Sequence, residues 1–287
     1  MLVGRFAPSP TGPLHLGSLV AAAGSWLHAR ARGGRWLVRM EDLDTPRVVP
    51  GADREILDAL RRYGLEWDGE VVYQSQRLPV YEEAMATLRS KGLVFDCACS
   101  RAELQRAASA PAAGDPVERI YPGTCRNGIP PGRTARAVRF RAPDRFVNFH
   151  DLLLGPIEEN VAESTGDFVI RRADGVFAYQ LAVVVDDAAQ GVTQVVRGAD
   201  LLPSTARQIA LQEALGYPKP EYGHLPLVLS PDGTKLGKRD GALPLESLDE
   251  RRIGETLAVA LAHLGLKVKT DTPDRMLAEA LTRWSES

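Results

Sequence analysis

The start of the chain constrains the fold most. An apolar strand runs into a proline and glycine turn and then into a helix within Arg5-Phe-Ala-Pro-Ser-Pro-Thr-Gly-Pro-Leu-His-Leu-Gly-Ser18. Leu2 to Ala7 is short, apolar-rich and extended, as a buried parallel strand is. Pro8, Pro10, Gly12 and Pro13 stop both strand and helix. From His15 onward the apolar residues fall at Leu16, Leu19, Val20, Ala23, Trp26 and Leu27, the spacing of a helix with one face turned to a core. His15 is thereby predicted at a helix N-terminus, where backbone N–H groups and the helix dipole favour an anion. Gly17 has no Cβ and lets a flat ring or a phosphate come close to the backbone. An imidazole in that place can donate to phosphate oxygens as charge grows on them.

A second segment lies far downstream. Leu225 to Leu229 reads as a strand and Ser230-Pro-Asp-Gly-Thr234 as a turn. Lys235, Lys238 and Arg239 follow, and cations on a loop suit the gripping of a pyrophosphate as it leaves. Alone, Lys235 to Arg239 reads as a solvated basic turn. Paired with the first segment, it reads as the other wall of an ATP site.

With 287 residues, the chain has room for one sizeable core or two domains. Its 44% hydrophobic and 25% charged residues are those of a soluble globular protein. The sequence carries no apolar run long enough to span a bilayer and no signal peptide, so a cytoplasmic location is expected. Net charge is −2, which excludes a generally basic RNA-coating protein. Any RNA contact must come from a local patch. Arg126, Arg133, Arg136, Arg139, Arg141 and Arg145 form one candidate, and they read equally well as a solvated strand face.

All three cysteines fall between Cys97 and Cys125. They flank an Ala/Pro/Gly-rich stretch, residues 107–116, that has little core of its own. Three thiolates and one more donor would complete a tetrahedral zinc site and supply the missing cross-link. A catalytic thiol is not expected, because no histidine lies nearby in sequence.

The expected architecture is α/β: a doubly wound, Rossmann-type parallel sheet split by a zinc-binding insertion, with a small C-terminal helical segment. Residues 1–92 are expected to form the first half of the catalytic domain and residues 93–175 the insertion. Residues 176–220 return to the sheet as its second half. Residues 221–287 carry the lysine loop and two closing helices, near Arg252 to Leu264 and Asp274 to Trp284.

These segments resemble the class I aminoacyl-tRNA synthetases. His15-Leu-Gly-Ser18 is similar to their HIGH signature, and Lys235-Leu-Gly-Lys-Arg239 to their KMSKS signature. Phe6-Ala-Pro-Ser-Pro-Thr-Gly12 narrows the match to the glutamyl branch, where Ser18 is an expected departure. Gly237 is a larger one, since a serine is usual there. A full glutamyl-tRNA synthetase resembles the chain over nearly all of its length and then continues into a helical anticodon-reading domain. The chain therefore resembles the short paralogues of that branch, and the resemblance implies that it has no anticodon-binding domain. Val183, where the longer enzymes usually carry asparagine, fits them too.

The resemblance implies ATP-dependent activation of L-glutamate without tRNA. Glutamate then passes to the queuosine base at the wobble position of tRNA(Asp). It implies Mg2+ with ATP and one structural Zn2+ on Cys97, Cys99, Cys125 and, as an unusual fourth ligand, Tyr121. His150 is the conventional alternative fourth ligand. A monomer is expected. Glutamate requires guanidinium for its carboxylate and a carboxylate for its ammonium. Arg5, Glu41 and Arg197 each stand at the carboxyl end of a predicted strand, where open α/β sheets bind ligands.

By the same resemblance Arg5 and Arg197 bind the γ-carboxylate and Glu41 the amine. Phe6, Ala7, Pro8, Ser9 and Tyr179 complete the amino-acid site. His15, Gly17 and Lys238 contact ATP, with Lys235 second on the pyrophosphate. Two rival readings stand beside this one: a truncated glutamyl-tRNA synthetase that charges the tRNA 3′ end, and a non-catalytic glutamate or nucleotide sensor.

Overall fold

A computed structural model describes residues 1–107, 111–112, 115–229, 245 and 249–286. In chain order its elements are β1 (Val3–Phe6), α1 (Leu16–Arg30), β2 (Arg35–Met40), α2 (Ala52–Arg62), β3 (Val72–Tyr73), α3 (Leu78–Ser90), β4 (Val94–Cys97) and α4 (Arg101–Ala107). Then come β5 (Pro111–Ala112), β6 (Asp115–Arg119), β7 (Ala137–Phe140), β8 (Phe146–Asp151), β9 (Gly155–Asn160), α5 (Val161–Ser164) and β10 (Phe168–Arg171). The chain finishes with α6 (Tyr179–Ala189), β11 (Gln194–Gly198), α7 (Leu202–Leu215), β12 (Glu221–Leu225), α8 (Glu250–His263) and α9 (Pro273–Glu286). They divide into two compact units. The first is Met1–Ser75, Val192–Ala199 and Pro220–Ser287; the second is Gln76–Gly191 and Asp200–Lys219.

The first unit is built on a parallel sheet. β1 pairs with β2 from Val3↔Arg35 to Phe6↔Val38, and β2 pairs with β3 at Arg39↔Val72. β11 pairs with β12 from Gln194↔Glu221 to Gly198↔Leu225. The two parallel sets join where Thr193 N–H donates to the Val3 carbonyl at 2.9 Å and Val3 N–H donates to the Thr193 hydroxyl at 2.9 Å. β1 and β11 thus start side by side, and the order β3-β2-β1-β11-β12 is that of a Rossmann sheet. In such a sheet the crevice lies where the strand order reverses, between β1 and β11.

α1 covers this sheet and also packs against α8 and α9. It is buried on several sides, and half of its ten buried positions are small: Ala22, Ala23, Gly24, Ser25 and Ala29. A Cβ on Gly24 would come within 2.5 Å of Leu225 Cδ1, so glycine is what lets α1 lie so close to the end of β12. α8 is capped by Asp249, whose carboxylate accepts from Arg252 N–H at 2.9 Å. No helix among the described residues is long and apolar enough to cross a membrane.

Two strands, β12 and β11, start two or more residues from the sequence expectation. The strand expected over Leu225 to Leu229 is Glu221–Leu225. The Leu-Pro-Leu-Val-Leu run is the more apolar, but Pro226 has no N–H for a ladder, and pairing with β11 selects the earlier residues. β11 likewise begins two residues later than expected. Thr193 is used to tie the sheet together, and Arg197 lies inside the strand rather than after it.

In the second unit β10, β7 and β4 form an antiparallel sheet, and β8 and β9 a hairpin. α3, α6 and α7 pack on one another. Their contact holds a buried polar centre. Asp186 accepts from Arg77 Nε at 2.5 Å and from the Tyr81 hydroxyl at 2.7 Å. Beside it, Gln180 donates to Ser204 Oγ and accepts from Gln208, each at 3.0 Å.

Candidate active site

β1 delivers the chain into a turn that is stitched to the segment after β2. Glu41 N–H donates to the Pro8 carbonyl and Val49 N–H to the Pro10 carbonyl, both at 2.9 Å. Gly12 supplies the positive φ of 125° that the turn requires. Ser9 is exposed on this turn, Ala7 half-buried and Pro8 buried. Phe6 stacks on Trp36, with ring centroids 6.2 Å apart, so its side chain belongs to the core.

The turn ends at His15, the N-cap of α1. Its Nδ1 accepts from Ser18 N–H at 3.3 Å. In the neutral ring the proton is therefore on Nε2, which makes that nitrogen a donor. A Cβ on residue 17 would stand 3.1 Å from His15 Cε1, so Gly17 makes room for the imidazole as well as for any ligand.

The carboxyl ends of the strands gather buried charge. Arg5 on β1 and Arg197 on β11 are each 4% exposed, and Arg39 on β2 is fully buried. Glu41 follows β2 directly, and its Oε1 lies 3.5 Å from Arg39 Nη2. Arg197 donates through Nε to His224 Nε2 at 3.2 Å and lies over the Tyr222 ring, 5.5 Å from its centroid. Guanidinium groups and one carboxylate at a crevice can hold an amino acid by both its charges.

The first unit thus brings Arg5, Ser9, His15, Gly17, Glu41 and Arg197 to one end of one sheet. Tyr179 opens α6 in the second unit, half-buried, and Val183 is buried in the same helix. Lys235, Gly237 and Lys238 lie outside the described residues. Sequence reasoning missed Arg39 and His224. Arg39 is two residues before Glu41, the spacing that sets two side chains on one strand face. His224 fell outside the strand expected to start at Leu225.

The second unit holds the cysteine cluster. The sulfurs of Cys97, Cys99 and Cys125 all lie within 4.8 Å of one another, with Cys99 and Cys125 at 3.7 Å. A tetrahedron with Zn–S bonds of about 2.3 Å has edges of about 3.8 Å, so the donor set fits a thiophilic ion. The Tyr121 hydroxyl lies 3.6 Å from Cys97 Sγ and 3.9 Å from Cys99 Sγ, and accepts from Cys125 N–H at 2.7 Å. His150 is exposed on β8 and is not in this cluster.

Burial pushes the Cys97 thiol up, but hydrogen bonds from Arg139, Cys99 N–H and Tyr121 outweigh it and leave the thiol below its ordinary value. Burial and the neighbouring Cys97 push Cys99 up to about 11.

The arginine stripe reads differently in the structure. Arg139 is buried, donates to Cys97 Sγ at 3.4 Å and covers the Tyr121 ring at 4.0 Å. Arg126 pairs with Asp167, Arg133 with Glu103 and Arg145 with Glu213, while Arg141 donates to the Arg126 carbonyl. These contacts hold the unit together.

A parallel sheet whose order reverses between β1 and β11, with a histidine-capped helix opening at the end of β1, is a Rossmann-type frame. The chain belongs to the class I tRNA synthetase family: the model of the catalytic domain of its E and Q members matches residues 1–272. Within that family it belongs to the glutamyl-Q tRNA(Asp) synthetases. It is 54% identical to the one from Geobacter sulfurreducens over 99% of this chain and 90% of the relative. It is also 54% identical to the one from Thiobacillus denitrificans, over 98% of this chain and 93% of the relative. The crystal structure of glutamate-tRNA synthetase from Elizabethkingia anophelis superposes with a TM-score of 0.73 at 33% identity, covering 84% of this chain. The chain spans about half, 53%, of that longer structure.

Proposed function

We propose that the protein activates L-glutamate with ATP, without tRNA, and transfers it to the queuosine base at the wobble position of tRNA(Asp). The relatives' shared name supports this destination, and so does the match along nearly the whole of their length. The observation that carries the chemistry is the convergence of Arg5, Glu41, Arg197 and the His15 cap at one sheet end.

Arg5 and Arg197 hold the γ-carboxylate, and Glu41 holds the ammonium. Ala7, Pro8 and Ser9 line the site through the turn, with the Phe6 backbone. The α-carboxylate oxygen attacks the α-phosphorus in line, the bond to the bridging oxygen breaks, and pyrophosphate leaves. His15 Nε2–H donates to phosphate oxygens as their charge grows, and Gly17 admits the nucleotide beside the ring. Lys238, with Lys235 second, neutralises the departing pyrophosphate. Mg2+ accompanies ATP. Cys97, Cys99 and Cys125 would hold Zn2+, with Tyr121 as fourth ligand. That ion would supply a cross-link for the second unit and take no part in the reaction.

Glutamate-dependent pyrophosphate exchange without RNA, followed by uptake of labelled glutamate by tRNA(Asp) only when it carries queuosine, is the expected result. Exchange that requires tRNA, with label on the 3′ end, would replace this reading with a truncated glutamyl-tRNA synthetase. No exchange would leave a binding protein.

A further inference from the structure

We infer that His224 is a positioning residue that fixes the guanidinium of Arg197, and through it the length of the amino acid accepted. The inference rests on the reading of Arg197 as a carboxylate ligand. Arg197 and His224 are register partners on β11 and β12, so their side chains stand on the same face of the sheet. Both are buried, at 4% and 1% exposure. Arg197 Nε donates to His224 Nε2 at 3.2 Å. To accept there, His224 must be neutral with its proton on Nδ1.

A second support comes from Tyr222, two residues earlier on the same strand face. Its ring is nearly parallel to that of His224, with 7° between the planes and centroids 6.4 Å apart. The Arg197 guanidinium carbon lies 5.5 Å from the Tyr222 centroid. One acceptor and one aromatic face therefore set both the rotation and the tilt of the guanidinium.

A carboxylate can meet arginine along the side edge, Nε with one Nη, or end-on across Nη1 and Nη2. The bond to His224 occupies Nε and directs a carboxylate to the end-on edge. End-on binding fixes how far from β11 the carboxylate must sit. Two cationic groups alone specify a dicarboxylate but not its length. A guanidinium held in one plane adds the length, and so separates glutamate from aspartate.

The test is pyrophosphate exchange with glutamate and with aspartate. His224→Leu removes the acceptor at similar bulk. It should raise KM for glutamate about tenfold to a hundredfold, the worth of a hydrogen bond to a charged group, and leave KM for ATP within about threefold. It should also lower the preference for glutamate over aspartate by at least about tenfold. His224→Gln carries an oxygen that can reach the place of Nε2 and should restore most of both. His224→Asn, too short to reach it, should behave like leucine.

Equal behaviour of the Gln and Asn variants, or an unchanged glutamate-to-aspartate ratio in both, would overturn the inference. Thermal melting identifies any variant that does not fold, in which case the Gln and Asn pair decides. If Arg197→Ala itself leaves KM for glutamate unchanged, the reading of Arg197 is what fails. If it raises KM while the His224 variants do not, only the inference about His224 fails.

Discussion

The imidazole of His15 occupies the space that a side chain on Gly17 would fill. A Cβ there would lie 3.1 Å from Cε1 and 3.2 Å from Nδ1 of the ring, closer than carbon atoms normally approach. The glycine therefore has a structural partner inside the helix turn. Its absence of a side chain preserves the bond from Ser18 N–H to His15 Nδ1, and that bond fixes Nε2 as the donor.

Gly17→Ala should therefore separate stability from activity. Alanine favours helix over glycine by up to about 1 kcal/mol, so melting should not fall. Displacing the ring should lower pyrophosphate exchange by about tenfold or more. Unchanged exchange would mean that the ring yields at no cost to catalysis.

Asp186 is a second point at which one atom pair carries much of the local structure. It is fully buried, and it accepts from Arg77 and Tyr81 where α6 meets α3. Asp186→Ala leaves a guanidinium and a phenol without their acceptor. Breaking a buried pair costs about 3–5 kcal/mol, and the partial exposure of Arg77 reduces this to about 2–4 kcal/mol. Denaturant unfolding should show that loss, and a loss below about 1 kcal/mol would mean that water replaces the carboxylate.

The cysteine cluster predicts one metal ion per chain by elemental analysis. Removing it with a chelator, or substituting Cys99→Ser, should lower the melting temperature and expose residues 97–125 to protease. Thiol titration should find the three cysteines protected before chelation and reactive after it. Full thiol reactivity in the protein as purified would exclude the ion.

How much of this was legible in the sequence depended on how local the cause was. The strand, turn and helix from Arg5 to Ser18 are specified by neighbouring prolines, glycines and helical spacing, and α1 begins with His15 as its cap, as that pattern requires. The end helices were found to within two residues at each boundary for the same reason. β12 was misplaced because pairing with β11, a distant segment, outweighs the more apolar Leu-Pro-Leu-Val-Leu run. That shift hid His224. Within the arginine stripe Arg133, Arg136 and Arg145 are exposed, as a solvated face requires, but sequence cannot show that Arg139 turns inward to Cys97 while Arg126 meets Asp167, 41 residues on.

Acid should act on the first unit through Asp68. Its carboxylate accepts from Trp36 N–H at 2.8 Å and from Arg30 Nη1 at 2.7 Å. Burial pushes its pKa up, but the hydrogen bonds from Trp36 and Arg30 and the charges of Arg30 and Arg35 outweigh it and hold the group below its ordinary value. A depressed folded pKa means that the stabilisation is complete above the unfolded value of about 3.9 and is lost as pH falls through the lower folded one. Asp68→Asn should therefore be less stable than the parent at neutral pH, and the gap should close below about pH 4. A gap that persisted at pH 2–3 would mean that shape, rather than charge, is what the asparagine lacks.

Glu41 provides the sharpest test of the amino-acid site. Its backbone is fixed by the bond from its N–H to the Pro8 carbonyl, and its carboxylate is held beside Arg39 at 3.5 Å. The charge of Arg39 faces Glu41 at the strand end, and the proposed ligand brings an ammonium to it. Glu41→Gln keeps the size and the hydrogen-bonding oxygen but removes the charge. The loss of an ion pair should raise KM for glutamate by about tenfold to a hundredfold, with KM for ATP nearly unchanged. A glutamate analogue that lacks the amino group should bind the parent and the variant alike, because its missing ammonium and the missing carboxylate are the two halves of one interaction. If the variant instead weakens glutamate and the analogue equally, Glu41 acts by positioning Arg39, and the ammonium is held by another group.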